Sequence, residues 1–262
     1  MSIISGRKTF TFGLYSILFF LVIYCLLFSI GFDERSQNKI GKVTASCEMN
    51  DGGLIRQPTN TITGLAMCLP GLLILWKWDE QSEKLPFENN KSEVFLYSGS
   101  VLFVGFGTAL AHGSMMKLGS RLDTAAMIIW ILIPITWAII RVLNQSEKLR
   151  IQLWIGLSII ITSYTLFSDN FGIIDFYFLV IPIWIILEII AHFLNRGSIN
   201  KWTMKSIYFF IIAYISRTIG ENNSAFCNPD SLWQWHGVWH IFCTYVIWCT
   251  WMHICNIKAV KE

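Results

Sequence analysis

Charged residues are scarce in this chain, at 14% of its 262 residues. A soluble domain usually carries about 25%. The sequence has no C2H2 zinc-finger, Walker A or GxGxxG pattern, and its net charge is only +3, so nothing points to a nucleic-acid partner. Hydrophobic residues make up 54% of the chain instead. They come in blocks of about 15–23 residues, long enough to cross a ~30 Å hydrocarbon core. We therefore predict an all-α membrane protein.

Eight apolar blocks fit membrane-spanning helices. The predicted spans are 11–32, 62–78, 94–115, 124–142, 153–167, 173–194, 206–220 and 233–257. The first block follows Arg7 and Lys8, which is typical of a signal peptide or a signal anchor. Because it is long and no clear small-residue cleavage site closes it, we predict a retained signal-anchor helix within residues 1–33.

The orientation follows from the distribution of lysine and arginine, which favour cytoplasmic loops. With the N-terminus inside, thirteen of these residues fall on the inner side and seven on the outer side. This bias predicts that both termini are cytoplasmic.

Polar residues that could carry chemistry cluster at the ends of three predicted spans. Thr108 and His112 are four residues apart near the end of the third span, Asp123 opens the fourth, and His236 and His240 are four apart at the start of the eighth. Residues four apart share one face of a helix. The predicted topology brings the three histidines and Asp123 to one depth, near the outer leaflet.

Three neutral imidazoles that leave one position open form the shell of a catalytic zinc ion. We therefore predict zinc on His112, His236 and His240, with Asp123 as general base and Thr108 as donor to a developing oxyanion. Three alternatives stay open here. Asp123 would also serve as a cap of the fourth span, Thr108 as a packing residue at a helix crossing, and the paired histidines as haem ligands.

Other residues outside this cluster carry structural predictions. Glu188 and His192 are four apart near the inner end of the sixth span, which indicates a local hydrogen-bonded pair. His253, near the inner end of the last span, is interpreted as structural. Cys47 and Cys227 are the two cysteines in polar connecting segments, both predicted to lie outside, and we predict a disulfide between them.

At these positions the chain resembles the alkaline ceramidases, within the CREST superfamily of membrane hydrolases. The family has a serine four residues before a histidine, an aspartate eleven after it and a late HxxxH with tryptophan before the second histidine. The matching residues here are Thr108, His112, Asp123, His236, Trp239 and His240. Two further stretches are similar to family motifs: the run from Cys47 to Thr61, and the run from Cys227 to His236, which resembles bacterial members.

The resemblance covers about 45–257 and implies a seven-helix transmembrane bundle of ceramidase type, here with one extra N-terminal helix. It implies zinc on the three histidines, Asp123 as base, and hydrolysis of the ceramide amide to a sphingoid base and a fatty acid. The family's serine is Thr108 here. Animal members also bind calcium near the N-terminal motif. Glu48 and Asn50 fit that site, but Ala45, Ser46 and Gln57 stand at its other side-chain ligands, so we do not predict calcium.

The sequence therefore predicts a zinc-dependent hydrolase of linear lipid amides. Its partners would be the membrane and a ceramide-like lipid substrate. A receptor of the progestin and adipoQ type shares the same polar pattern and is the first alternative. A haem-binding membrane protein is the second.

Overall fold

The computed structural model describes residues 2–31, 46–50, 53–85, 90–167, 176–197 and 199–257. These residues are helical, with one isolated antiparallel bridge between Ser46 and Glu221. The helices are α1 (Ser2–Gly31), α2 (Pro58–Ala66), α3 (Cys68–Trp76), α4 (Trp78–Glu83), α5 (Asn90–Ser114), α6 (Lys117–Leu143), α7 (Glu147–Phe167), α8 (Phe176–Phe193), α9 (Lys201–Ile219) and α10 (Trp235–Ile254). Ala45 and the predicted first residues of the sixth span, 173–175, lie outside the described residues.

Four helical stretches within these residues are long and apolar enough to cross a membrane. They are Pro58–Trp76, which joins α2 and α3, and Lys91–Ser114, Lys117–Leu143 and Glu147–Phe167. Gly13–Leu26 and Leu179–Phe193 are shorter apolar helices. This confirms the all-helical class and indicates a membrane protein. The count of eight crossings and the cytoplasmic termini stay predictions.

Neighbouring helices pack side by side, so that their ends gather at the two opposite ends of the bundle. α5 packs on α6 and α9 on α10, while α2 and α3 lie against α5, and α2 also contacts α10. The end of α5 and the starts of α2, α6 and α10 therefore meet at one end of the bundle. We call this the histidine end, because it carries His112, His236 and His240.

The opposite end of the bundle buries charged residues. Arg141 Nη2 donates to Glu188 Oε1 at 2.5 Å, and His253 Nε2 lies 3.1 Å from the same oxygen. All three side chains are buried. The predicted pair of Glu188 with His192 is wrong: Glu188 points inward to these partners, whereas His192 is exposed. The structural role predicted for His253 fits its buried contacts.

A second ion pair lies beside the first. The buried Arg150 guanidinium donates to Glu93 Oε2, and Trp137 donates its indole N–H to Glu93 Oε1 at 3.0 Å. The Trp137 carbonyl accepts from Arg141 Nε at 3.1 Å. Trp137 thus links the two ion pairs into one network that ties α5, α6, α7, α8 and α10 together.

Candidate metal centre

Three histidines from two helices converge at the histidine end. His112, His236 and His240 each offer one ligand nitrogen, and these nitrogens lie within 4.8 Å of one another. The ring centroids of the three pairs are 4.9–5.0 Å apart. His112 and His240 are buried and His236 is half-buried. The group is close enough to hold a metal ion, as the spacing of the histidines and the predicted topology suggested.

Gln57 fixes the orientation of His112. The Gln57 side-chain nitrogen donates to the Glu48 carbonyl at 2.8 Å, and a carbonyl can only accept, so Gln57 Oε1 faces the other way. This oxygen lies 2.7 Å from His112 Nδ1. Since an amide oxygen also only accepts, Nδ1 of His112 must carry the proton. The lone pair of its Nε2 is then left for a metal, which is the usual arrangement of a metal-binding histidine.

Thr63 fixes His240 in the same way. The Thr63 hydroxyl donates to the Thr59 carbonyl one turn earlier, at 2.8 Å, and its oxygen lies 3.0 Å from His240 Nδ1. Because the hydroxyl proton is used within α2, the oxygen accepts from Nδ1–H of His240. The close approach of α10 to α2 depends on Gly237, where an added Cβ would lie 3.2 Å from Thr63 Oγ1.

These contacts test whether a metal fits the donor set. Nδ1 of His112 faces an amide oxygen that can only accept, and Nδ1 of His240 faces a hydroxyl oxygen whose proton is directed to a carbonyl of α2. With Nδ1 protonated, the neutral imidazole presents Nε2 to a cation. The site also has the histidine chemistry that zinc prefers, although imidazole suits copper, iron and nickel as well. The residues therefore fit a metal, while the geometry leaves its identity open.

Asp123 lies on the neighbouring helix and is bound to Thr108. Thr108 Oγ1 donates to Asp123 Oδ1 at 2.5 Å. The prediction that Asp123 opens a helix is wrong, because α6 already begins at Lys117 and Asp123 lies in its second turn. It is therefore no helix cap. The two backbones touch here, since a Cβ on Gly107 would lie 3.0 Å from the Asp123 Cα.

The Thr108 methyl group is in contact with α2. An added Cβ on Gly64 would come within 2.7 Å of Thr108 Cγ2, so the methyl fills the space above that glycine. This contact and the bond to Asp123 select one of the two side-chain rotamers that threonine favours in a helix. Both ideas about Thr108 thus have support: it packs at a helix crossing, and its hydroxyl serves the polar cluster.

A covalent clamp covers the histidine end. Cys47 and Cys227 form a disulfide with a Cα–Cα distance of 5.4 Å, as predicted. The Cys47 amide donates to the Gly220 carbonyl at 2.9 Å, next to the bridge between Ser46 and Glu221. The segment around Cys47 is thus fixed to the chain that leads into α10.

The residues that resemble calcium ligands have protein partners. Glu48 accepts the backbone N–H groups of Thr59 and Asn60 at 2.6 and 2.8 Å, and so caps the first turn of α2. Asn50 Oδ1 accepts from the Arg56 guanidinium at 3.2 Å. Glu48 therefore stabilises the helix that carries Thr63.

Sequence reasoning missed Gln57 and Thr63 as parts of the site. Gln57 contacts a histidine 55 residues away and Thr63 one 177 residues away, so no local spacing pointed to them. Both lie close to Asn60 and Thr61, in a stretch unusually rich in buried polar residues for a membrane helix. That excess of polar residues was the available signal.

Comparison of the chain with protein-family models, with curated proteins and with solved structures finds no match.

Proposed function

We propose that this protein is a zinc-dependent membrane hydrolase that cleaves the amide bond of ceramide-like lipids. The observation that carries the proposal is the group of three histidines, two of them buried with Nδ1 hydrogen-bonded to Gln57 and Thr63, at the end of the bundle that also holds the Thr108–Asp123 pair. Three neutral imidazoles with an open position are the shell of catalytic rather than structural zinc.

The chain's own groups would divide the work. His112, His236 and His240 would hold the ion, which supplies Lewis acidity toward a carbonyl and acidifies water. Asp123 would take the proton from the attacking water and pass it to the leaving amine, as a general base and then a general acid. The hydrogen bond from Thr108 keeps the Asp123 carboxylate in one orientation. The Thr108 hydroxyl has one proton. When the hydroxyl turns from Asp123 toward the substrate, it would donate that proton in a hydrogen bond to the developing oxyanion.

A lipid amide is the substrate class that this setting favours. The histidine end belongs to a bundle with four helices apolar enough to cross a membrane, so a substrate with long hydrocarbon chains would reach the histidines from the bilayer. Ceramide itself is supported by the resemblance of Thr108, His112, Asp123 and the late HxxxH to the alkaline ceramidases. The seven predicted membrane spans after α1 would form the hydrolase domain, with its site near the outer leaflet and both termini cytoplasmic.

Metal analysis and turnover test the proposal in two steps. Purified protein should contain about one zinc per chain, as a three-histidine site implies, and should show no haem absorption. It should also hydrolyse a ceramide with a fluorescent acyl chain, and chelation should stop the reaction. Zinc without turnover of any lipid amide would favour the receptor of progestin and adipoQ type. A haem spectrum carried by the histidines would refute the hydrolase outright.

A further inference from the structure

A cavity of about 620 Å³ lies between α1, α5 and α6, apart from the three histidines. α1 rests on the bundle through Phe20, which stacks on Phe106 of α5 with ring centroids 4.7 Å apart. It also packs through Phe10, whose ring centroid lies 4.9 Å from that of Trp76 in α3. The cavity lies on the side of α1 that faces α6.

The walls of this cavity are almost entirely hydrocarbon. Phe19 and Ile23 line it from α1, Leu110 from α5, and Leu118 and Leu122 from α6. Its few polar groups include Tyr24, whose hydroxyl already donates to the Leu54 carbonyl at 3.0 Å. A polar ligand would lose its hydrogen bonds to water here without replacing them, and an apolar cavity does not hold water well. The wall chemistry therefore selects an apolar occupant.

The size and depth of the cavity suit one lipid chain. Its volume falls in the range of about 300–1,000 Å³ that is common for small-molecule sites. It runs along α1 from Tyr15 to Tyr24, about 14 Å at 1.5 Å per residue. This length is about half of a ~30 Å hydrocarbon core, which is the depth of one leaflet. Tyr24 lies at the histidine end, because a Cβ on Gly113 would touch its ring.

The cavity and the metal ligand lie on different faces of α5. Phe103, Phe106 and Leu110 line the cavity and recur at helical spacing. His112 and Thr108 lie on the face that meets α6 and the interior. A hydrocarbon chain in the cavity would thus lie across α5 from His112 and Thr108.

We infer that this cavity binds one hydrocarbon chain of a bilayer phospholipid from the leaflet at the histidine end. The bound chain fills the gap between α1 and α6 and holds α1 on the bundle. This site can be tested independently of the proposed hydrolase activity, since its lining residues do not include His112, His236 or His240.

Photo-crosslinking in detergent micelles tests the inference. The full chain is purified in a mild detergent and given a trace of phosphatidylcholine with a diazirine in one acyl chain, and adducts are mapped by mass spectrometry. We expect adducts at Ile23, Leu110 and Leu118 that are displaced by unlabelled phosphatidylcholine at a low ratio. Adducts at Ile159 and Ile160, on the exposed face of α7, should grow only in proportion to the probe. Equal, non-saturating labelling at both places would overturn the inference, and this comparison needs no variant.

A matched pair of variants sharpens the result. Ile23→Trp with Leu110→Trp fills the cavity, whereas Leu21→Trp changes an exposed position on the same helix that does not line it. We expect the filled variant to lose at least about tenfold in saturable labelling, a change of ~1.4 kcal/mol. The Leu21→Trp protein should label like the parent. Unchanged labelling of the filled variant would refute the site.

Competition between ceramide and phosphatidylcholine shows which lipid supplies the hydrocarbon chain in the cavity. If a photolabelled ceramide labels Ile23 and Leu110 and phosphatidylcholine does not displace it, the cavity belongs to the substrate and the phospholipid proposal fails. If phosphatidylcholine displaces the ceramide, the proposal stands, whether or not the protein hydrolyses ceramide.

Discussion

The two ends of the helix bundle bury polar side chains in opposite ways. At the end opposite the histidines, each buried carboxylate has an arginine partner: Glu188 has Arg141, and Glu93 has Arg150. At the histidine end, the buried polar groups are imidazoles, hydroxyls, side-chain amides such as that of Gln57, and the Glu48 carboxylate, which accepts backbone N–H groups. The first arrangement pairs each carboxylate with a cation. The second brings three ligand nitrogens close enough to hold a metal ion.

This difference indicates that the arginine–glutamate end stabilises the fold, whereas the histidine end provides the candidate metal ligands. A buried charge is very costly unless it is paired, and the arginine–glutamate network meets that need within the protein while joining five helices. The histidine end differs: three ligand nitrogens lie within 4.8 Å of one another, and Asp123 has an electrostatic interaction with Arg217 of α9. The comparison therefore predicts that variants at one end change folding and variants at the other change metal binding.

Removing a histidine ligand should have the largest effect. We expect His240→Ala to lose most of the bound metal and essentially all hydrolysis, because two imidazoles do not complete the shell. His253→Ala is the matched control, since it removes a buried histidine of the same helix at the opposite end. Metal content per folded molecule, measured by plasma emission spectroscopy, checks this. Full occupancy in His240→Ala, or equal loss in both variants, would remove the distinction between the two ends.

Breaking the charge network should destabilise the fold without touching the metal. Arg141→Met leaves the Glu188 carboxylate buried without its cation, which typically costs ~3–5 kcal/mol. The free energy of unfolding in detergent micelles measures the loss. Lys84→Met, which breaks the exposed pair of Lys84 with Glu80, serves as control and should change stability little.

The double variant makes this prediction sharper. Adding Glu188→Met to Arg141→Met removes the unpaired charge, so part of the lost stability should return. The metal content of the folded fraction should match the parent in all three proteins. If Arg141→Met lost metal at unchanged stability, the opposite end would not be a scaffold.

Losing a residue that orients a ligand should have a smaller effect. Gln57→Ala removes the acceptor of His112 Nδ1–H, and such changes commonly weaken metal affinity about 10–100-fold. Gln81→Ala is the control, because Gln81 is also buried but accepts from Trp251 at the opposite end, at 2.8 Å. Competition of the metal-free proteins against a fluorescent chelator gives both affinities. Equal affinities in the two variants would mean that Gln57 only packs.

Much of this architecture is predictable from the sequence, for identifiable reasons. Helices α5, α6 and α10 follow from the long apolar blocks of the third, fourth and last predicted spans. The histidine cluster follows from spacings of four residues combined with alternating helix direction. The Cys47–Cys227 bridge follows from the segments in which these cysteines lie. Each of these inferences rests on a regular period or on topology.

The partner of Glu188 and the start of α6 depend on features that no regular spacing of apolar residues in the sequence reveals. Spacing paired Glu188 with His192, but packing turns Glu188 toward Arg141, 47 residues away, and leaves His192 exposed. The start of α6 was placed too late, because its first turns from Lys117 are polar and an apolar block does not include them. Which side of a helix faces a neighbour is decided by tertiary packing.

The hydroxyl of Thr108 gives the finest test of the comparison. In the structure it donates to Asp123, and its methyl group fills the space above Gly64, so one substitution can separate the two roles. Thr108→Val keeps the shape and removes the donor. We expect kcat to fall by at least about tenfold with metal retained, because Asp123 loses its orientation and the substrate loses a hydroxyl donor. Thr108→Ser keeps the donor and should keep the activity, with a small loss of stability from the missing methyl.

A buried threonine remote from the site provides the control for this substitution. Thr136 lies in the middle of α6, where its hydroxyl donates only to backbone carbonyls of the preceding turn, such as that of Leu132 at 2.8 Å. Thr136→Val makes the same chemical change at equal burial, and its kcat should match that of the parent. If Thr108→Val turned over ceramide as fast as Thr136→Val, Thr108 would be a packing residue only. Asp123 would then act without a hydroxyl partner, and the histidine end would need only its metal ligands and one carboxylate for chemistry.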